Sequence, residues 1–173
     1  MVSLWLFTTL VALLALQRIW ELRRSRQNEV WLQSQGGQEH HPGHYPVLVG
    51  LHSTWFAAML AEAWLLHPEP SEALMGLAGL GLLLGQCLRY AAMRTLGSRW
   101  STRIYVLPGQ PRITTGPYRL LRHPNYLGVM LEIAAVPLLG GAWRTALVWS
   151  VANLFLLWHR IRLEDRVLAA NEP

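Results

Sequence analysis

The sequence has few charges, one cysteine and no lysine. Only 14% of its 173 residues are charged and 52% are apolar, whereas a soluble domain carries about 25% charged residues. The single Cys87 excludes an internal disulfide and a cysteine metal cluster. The shortage of charge argues against an ordinary soluble domain and indicates a protein embedded in lipid.

The positive net charge of +5 comes entirely from arginine. These residues cluster beside apolar runs, a pattern typical of membrane topology signals rather than of a nucleic-acid-binding face. Several of the nine Trp stand near the ends of apolar runs, as a membrane interface favours. These are Trp20, Trp100, Trp143 and Trp158. We therefore predict lipid, and no nucleic acid, as a partner.

Five apolar segments approach the length of about 20 residues that spans a bilayer. They are residues 2–19, 46–66, 73–92, 126–141 and 142–158. The last two are short and meet at Gly140-Gly141, which predicts a tight helical hairpin. The first has no basic region before it, so we interpret it as an uncleaved span rather than a signal peptide. The sequence thus predicts one all-α integral membrane domain over residues 1–173.

Arginine falls on alternate loops between these segments. Four Arg lie at or just after the end of the first segment, none lies between the second and third, and six lie within residues 94–122. The positive-inside rule then places the N-terminus outside and the C-terminus in the cytoplasm. Five spans satisfy this orientation and four do not. The Pro- and Gly-rich stretch 97–122 predicts a loop, with an extended piece at 102–107.

One motif, TGPYRLLRHPNYLG, occupies residues 115–128. Pro124 suits the first turn of a helix, so we expect a helix to begin there with His123 near its N-cap. The unpaired N–H groups of such a start favour an anionic group. Tyr126 and Gly128 follow within one turn and offer a hydroxyl and a close backbone approach. The alternative is a Pro-capped interfacial helix with snorkelling arginines.

A second motif, HRIRLED, follows the fifth segment at residues 159–165. Arg160 and Glu164 are four residues apart and share one helical face. The alternative interpretation is a surface ion pair worth at most about 1 kcal/mol, within a charge cluster that stops membrane transfer. The residues alone leave both interpretations open.

Together, RHPNYLG and RIRLED resemble the isoprenylcysteine carboxyl methyltransferase family, membrane enzymes related to phospholipid methyltransferases. The resemblance covers about residues 80–165, and residues 28–31 and 36–46 are similar to small bacterial members. It implies S-adenosylmethionine as cofactor and O-methylation of a lipophilic acceptor. That acceptor would be a prenylcysteine-type carboxylate or a lipid phenol, methylated at the cytoplasmic face of a bacterial inner membrane.

The resemblance also implies site residues. The cofactor-binding set is Tyr118, His123, Pro124, Tyr126, Gly128 and Glu164, and the catalytic set is Arg160, Arg162 and Glu164. Arg162 or Arg119 would clamp an acceptor carboxylate in a two-pronged geometry. A phenol, with a pKa near 10, would need a base such as Glu164.

Two other classes of protein stay open. Membrane sterol reductases that use NADPH carry a similar RHPNY motif, but with Glu directly after the Gly, where this chain has Val129. A reductase would turn Arg119 or Arg122 toward the cofactor phosphates. A non-enzymatic membrane protein would tolerate Glu164→Gln and His123→Ala without losing any small-molecule binding.

Several polar residues have no assigned role at this point. Glu62 and His52 fall inside the second segment and Glu132 inside the fourth, where they would contact substrate or form interhelical hydrogen bonds. Gly81 and Gly85 are spaced for helix packing. His40, His41 and His44 lack a carboxylate or Cys set with metal-site spacing, so we predict no metal. The sequence does not indicate an oligomeric state.

Overall fold

The computed structural model describes residues 4–171, which form five α-helices and a two-stranded sheet. The helices are α1 Leu4–Ser34, α2 Tyr45–Leu66, α3 Glu72–Leu96, α4 Pro124–Leu139 and α5 Trp143–Ala170. Strands β1 Gln38–His40 and β2 Ile104–Val106 pair antiparallel. Short 3₁₀ helices cover Pro42–His44, Gly97–Arg99 and Gly116–Arg119. The predicted helical architecture is confirmed, whereas β1 was not predicted.

Two helices run well past the segments predicted for them. α1 has 31 residues, a length of about 46 Å, although its apolar segment was placed at 2–19. α5 continues from its predicted end at 158 to Ala170. Hydropathy identifies the segment that prefers lipid, and a helix can continue beyond it. Both extensions stay helical because they lack Gly and Pro and are rich in good helix formers. The second motif therefore lies within a helix.

The helix surfaces suit a lipid environment. Among the described residues, α1 and the stretch Glu72–Arg99 are long and apolar enough to cross a bilayer. α4 is apolar but has 16 residues, about 24 Å against a hydrocarbon core of about 30 Å. Large apolar side chains such as Leu83 and Phe155 are exposed, which is unusual in a soluble monomer. Five crossings and their orientation stay predictions.

The core lies between α1, α2, α4 and α5. It is built from Phe7, Val11, Leu14, Trp55, Met59, Ala63, Val129, Ile133, Val136, Ala142 and Leu157. The Trp55 indole donates a hydrogen bond of 3.2 Å to the Ile133 carbonyl oxygen, which joins α2 to α4. This packing fixes the inner faces of α4 and α5, the helices that carry both sequence motifs.

Helices α3 and α4 touch through glycine. A Cβ placed on Gly128 would lie 2.6 Å from Cγ of Arg89 and 2.8 Å from the Gly85 carbonyl oxygen. Only a residue without a side chain fits so close a contact. Gly85 therefore acts in helix packing, as its spacing predicts, and Gly128 lies at the same contact.

Glu62 caps the start of α5. Its carboxylate accepts hydrogen bonds from the Arg144 N–H at 3.1 Å, the Thr145 N–H at 2.7 Å and the Thr145 hydroxyl at 2.7 Å. The first N–H groups of a helix have no partner within it, and a negative charge there is favourable. Of the two roles open for Glu62, the structure shows the interhelical one.

Candidate active site

Two cavities meet between α4 and α5. The smaller, of about 90 Å³, has a polar wall that includes Arg99, Tyr118, His123 and Glu164. The larger, of about 310 Å³, has a mainly apolar surface supplied by α1, α2 and α4, and the charged side chains of Arg18, Glu21, Arg89 and Glu132 also line it. Five residues line both cavities: Trp100, Ser101, Asn125, Tyr126 and Arg160. The two cavities thus share one wall.

Arg160 is the centre of that wall. Its side chain is buried, with the residue 4% exposed. Nε donates to the Tyr126 hydroxyl at 2.7 Å, Nη2 donates to the Thr102 carbonyl oxygen at 2.7 Å, and Nη1 lies 2.9 Å from His44 Nε2. The guanidinium therefore links α5 to α4, to the segment before β2 and to the 3₁₀ helix before α2. A surface ion pair, the alternative for this motif, is wrong because Arg160 is not at the surface.

The Tyr126 hydroxyl stands between Arg160 and Glu164. It accepts from the guanidinium and donates to one carboxylate oxygen, Oε2 of Glu164. The second oxygen, Oε1, has no hydrogen bond to any of residues 4–171. Because Glu164 lines the polar cavity, this oxygen is available to a ligand that brings a donor.

His44 holds Arg160 as a neutral imidazole. Its Nδ1 lies against the His41 carbonyl oxygen, which only accepts, so Nδ1 carries the proton. Nε2 is then an acceptor, as the guanidinium beside it requires. Burial lowers the pKa of His44, and the positive charge of Arg160 lowers it further. The hydrogen bond to the His41 carbonyl oxygen raises the pKa and offsets part of this effect.

His123 and Tyr118 complete the polar wall. His123 Nε2 lies 3.1 Å from Asp165 Oδ1, and its ring stacks on Tyr126 with centroids 5.2 Å apart. These contacts tie the start of α4 to the end of α5. Burial raises the pKa of the Tyr118 phenol, and the negative charge of Glu164 adds to this. Tyr118 therefore stays a neutral hydroxyl that can donate or accept.

Other predicted site residues lie outside both cavities. Pro124 is buried as the first residue of α4, with His123 as its N-cap, as predicted. Gly128 packs on α3. Arg162 is exposed, and its guanidinium lies 3.8 Å from the Trp158 ring centroid. Arg119 is exposed and, like Arg162, lines neither cavity.

Three residues of the site, Trp100, Asn125 and His44, were not predicted from the sequence. Trp100 was expected at the membrane interface, but it is 3% exposed. Its side chain is buried because the chain folds back after α3, where the Asn28 side chain donates to the Trp100 carbonyl oxygen at 2.7 Å. Asn125 lies inside the RHPNYLG motif and was passed over for its neighbours. His44 had no predicted role in the site. No group of three possible metal ligands occurs among residues 4–171.

A charged cluster lines the larger cavity. Glu21 accepts from Arg18 and Arg89, and Glu132 accepts from Arg18, with Arg89 Nε 3.5 Å from its other oxygen. Two positive and two negative side chains balance, and such burial is tolerable only when the charges are paired. The cluster joins α1, α3 and α4, so Glu132 acts between helices. His52 also lines this cavity, and its Nδ1 lies 2.8 Å from the Leu48 carbonyl oxygen.

Comparison with known proteins gives the class and then the family. The model of the isoprenylcysteine carboxyl methyltransferase family matches residues 77–170, more than half of the chain. A Bacillus subtilis (strain 168) protein, called uncharacterized protein YpbQ, is 40% identical over 163 residues, 94% of this chain and 96% of the relative. No solved structure matches.

The matched region contains both sequence motifs and most of the polar wall, from Arg99 to Glu164. Helical fold, apolar outer surface and family match together define a membrane methyltransferase. The chain belongs to the isoprenylcysteine carboxyl methyltransferase family, which confirms the resemblance drawn from the sequence.

Proposed function

We propose that this protein transfers the methyl group of S-adenosylmethionine to an oxygen atom of a lipophilic acceptor. One observation supports this above all: a polar cavity and a larger apolar cavity share a wall built around Arg160 and Tyr126. Methyl transfer is a displacement that depends on positioning, so its two substrates must meet. A wall common to a polar site and an apolar site is the place for a polar cofactor to meet a lipid.

The donors and acceptors of the polar cavity fit S-adenosylmethionine. The unbonded Glu164 oxygen would accept from the ribose hydroxyls or the ammonium group, and Tyr118 and Arg99 would donate to the carboxylate. The rings of Tyr126 and His123 suit a flat base or a cation. The cavity of about 90 Å³ is smaller than usual ligand pockets of roughly 300 Å³ or more. We therefore expect the segment 97–123, which forms part of its wall, to move outward on binding.

When bound, the cofactor supplies an electrophilic methyl group on a positively charged sulfur. The role of Arg160 is to hold the acceptor oxygen. A guanidinium has more N–H groups than the three contacts of Arg160 use, so donors remain for a ligand. A carboxylate is already ionised at neutral pH and needs no base. A phenol must also lose its proton: the positive charge of Arg160 lowers the phenol pKa, and a base such as Glu164 would accept the proton.

The larger cavity would hold the acceptor's apolar chain. Its lining includes Leu48, Val49, Phe56 and Ile133. Burial there removes methylene groups from water, at about 0.8 kcal/mol each. The exposed apolar sides of the helices suit a chain that arrives from the lipid phase. We further propose a bacterial inner membrane, the N-terminus outside and the site at the cytoplasmic face, on the alternating loop charges.

The test is label transfer by protein reconstituted in lipid nanodiscs. Methyl-tritiated S-adenosylmethionine is supplied with an N-acetyl-S-farnesylcysteine acceptor or with long-chain alkylphenol and alkylcatechol acceptors. We expect labelled product in the organic phase. Mild alkali then separates the two chemistries, because a methyl ester releases labelled methanol and an aryl methyl ether does not. Absence of label in every product, or oxidation of NADPH instead, would contradict the proposal.

A further inference from the structure

Residues 119–122, directly before α4, form an exposed turn that lines neither cavity. Leu120 is 87% exposed and Leu121 is 36% exposed. The flanking Arg119 and Arg122 are exposed too, and neither guanidinium forms a hydrogen bond or ion pair with any of residues 4–171. A single exposed leucine is ordinary, but here two leucines stand between two arginines that have no partner.

This turn lies level with the end of α3. The 3₁₀ helix Gly116–Arg119 packs against α3, and a Cβ placed on Gly116 would lie 2.5 Å from Oγ1 of Thr95. Thr95 belongs to the last turn of α3, a helix long and apolar enough to cross a bilayer. The turn therefore stands where the lipid chains end and the head groups begin.

The turn faces outward because the residues on either side of it face inward. Tyr118 and His123 both line the polar cavity. Within the turn, the N–H groups of Leu120 and Leu121 donate to the Pro117 carbonyl oxygen at 3.2 and 3.0 Å. Unpaired N–H groups are costly in lipid, so these bonds let the turn meet the bilayer without exposing the two donors.

We propose that Leu120 and Leu121 enter the bilayer interface and that Arg119 and Arg122 bind the anionic head groups of phospholipids. Leucine side chains are stabilised by leaving water. Arginine can lay its apolar stem along the lipid chains and place its charge among the phosphates. The RHPNYLG motif and the residues before it thus have two faces, one toward the polar cavity and one toward the membrane.

The charge at this end of the protein favours an anionic lipid over a zwitterionic one. The nearby acids are engaged, since Glu164 accepts from Tyr126 and Asp165 lies beside His123. The exposed acids Glu69 and Glu72 stand at the opposite end of α3. Each arginine close to an anionic leaflet adds to the attraction. Further exposed arginines lie near the ends of α3 and α5, namely Arg94, Arg162 and Arg166.

The first test measures insertion with a fluorescent label. Cys87 is the single cysteine, so Cys87→Ala gives the background for Leu120→Cys and for the control Gln35→Cys. Gln35 is exposed and follows α1, whose end lies about 22 Å beyond its apolar segment. The label is the polarity-sensitive nitrobenzoxadiazole group, in nanodiscs whose lipids carry a nitroxide near the head-group end of the acyl chain. We expect the label at position 120 to be quenched roughly twofold or more and the label at position 35 to stay bright.

The second test asks which head group the turn selects. The nitroxide is carried by phosphatidylglycerol or by phosphatidylcholine, at the same fraction of the same mixed bilayer. We expect phosphatidylglycerol to quench the label at position 120 roughly twofold more strongly, and less so in about 1 M salt. Arg119→Gln with Arg122→Gln should abolish this preference. Arg119→Lys with Arg122→Lys keeps both charges and should retain it.

Three results would overturn the inference. They are equal quenching at positions 120 and 35, equal quenching of the position 120 label by the two nitroxide lipids, and a lipid preference that survives the double glutamine substitution. Neither test uses a methyl donor or acceptor, so the inference and the proposed function stand or fall separately.

Discussion

Replacing Arg160 by lysine keeps the positive charge but removes the geometry that the structure uses. The guanidinium reaches Tyr126, Thr102 and His44 with three different nitrogens. A lysine ammonium has one nitrogen and cannot replace the planar guanidinium, whose N–H groups lie on three nitrogens. We expect two of the three hydrogen bonds to be lost. At about 0.5–1.5 kcal/mol each, Arg160→Lys should lower the free energy of unfolding by about 1–3 kcal/mol.

The assay is unfolding of the purified protein in mixed micelles, followed by far-UV circular dichroism during titration with a denaturing detergent. Arg162→Lys is the matched control on the same helix. Arg162 is exposed and rests on Trp158, so its replacement should change the free energy of unfolding by no more than about 0.5 kcal/mol. Equal effects of the two substitutions would refute the claim that Arg160 organises the wall between the cavities.

Two further predictions follow from close contacts and from charge. Gly128→Ala should lower the free energy of unfolding by about 1–3 kcal/mol through overpacking, because the new Cβ would lie 2.6 Å from Cγ of Arg89. The control Gly43→Ala has open space around the new Cβ and should leave stability unchanged. Equal stabilities of the two variants would contradict the close contact between α3 and α4. The lowered pKa of His44 means that the unfolded chain binds the proton first as pH falls below about 6.5. Stability should therefore be full above that pH and decline as the pH falls below it. The decline should be smaller in His44→Gln, which keeps an acceptor for Arg160, and an equal decline in both proteins would assign it to other groups.

Much of the helical framework was predictable because its signals are local. Apolar runs placed all five helices, and Pro124 set the start of α4 because proline excludes helix before it and suits its first turn. The ends of α1 and α5 were missed since apolar segments were read as whole helices. The burial of Trp100 was not predictable because the path of the chain after α3, rather than the residue type, decides it.

The connections that build the site were not predictable from local pattern. His44 and Arg160 are 116 residues apart, and Glu62 and Thr145 are 83 apart. Neither helical periodicity nor motif spacing reports such pairs. The family resemblance implied a cofactor-binding role for Tyr126 and Glu164, which stays a prediction, whereas the position of Asn125 between the two cavities was not predictable.

The central claim is that the polar cavity around Glu164 binds S-adenosylmethionine, and calorimetric binding of its demethylated product to the purified protein tests this most directly. Glu164→Gln removes the charge that would accept from the ligand, and Glu69→Gln, on an exposed residue between α2 and α3, is the matched control. We expect wild type and Glu69→Gln to bind alike and Glu164→Gln to bind at least roughly tenfold more weakly. No binding to the wild type, equal binding by Glu164→Gln, or binding of NADPH alone would contradict the account.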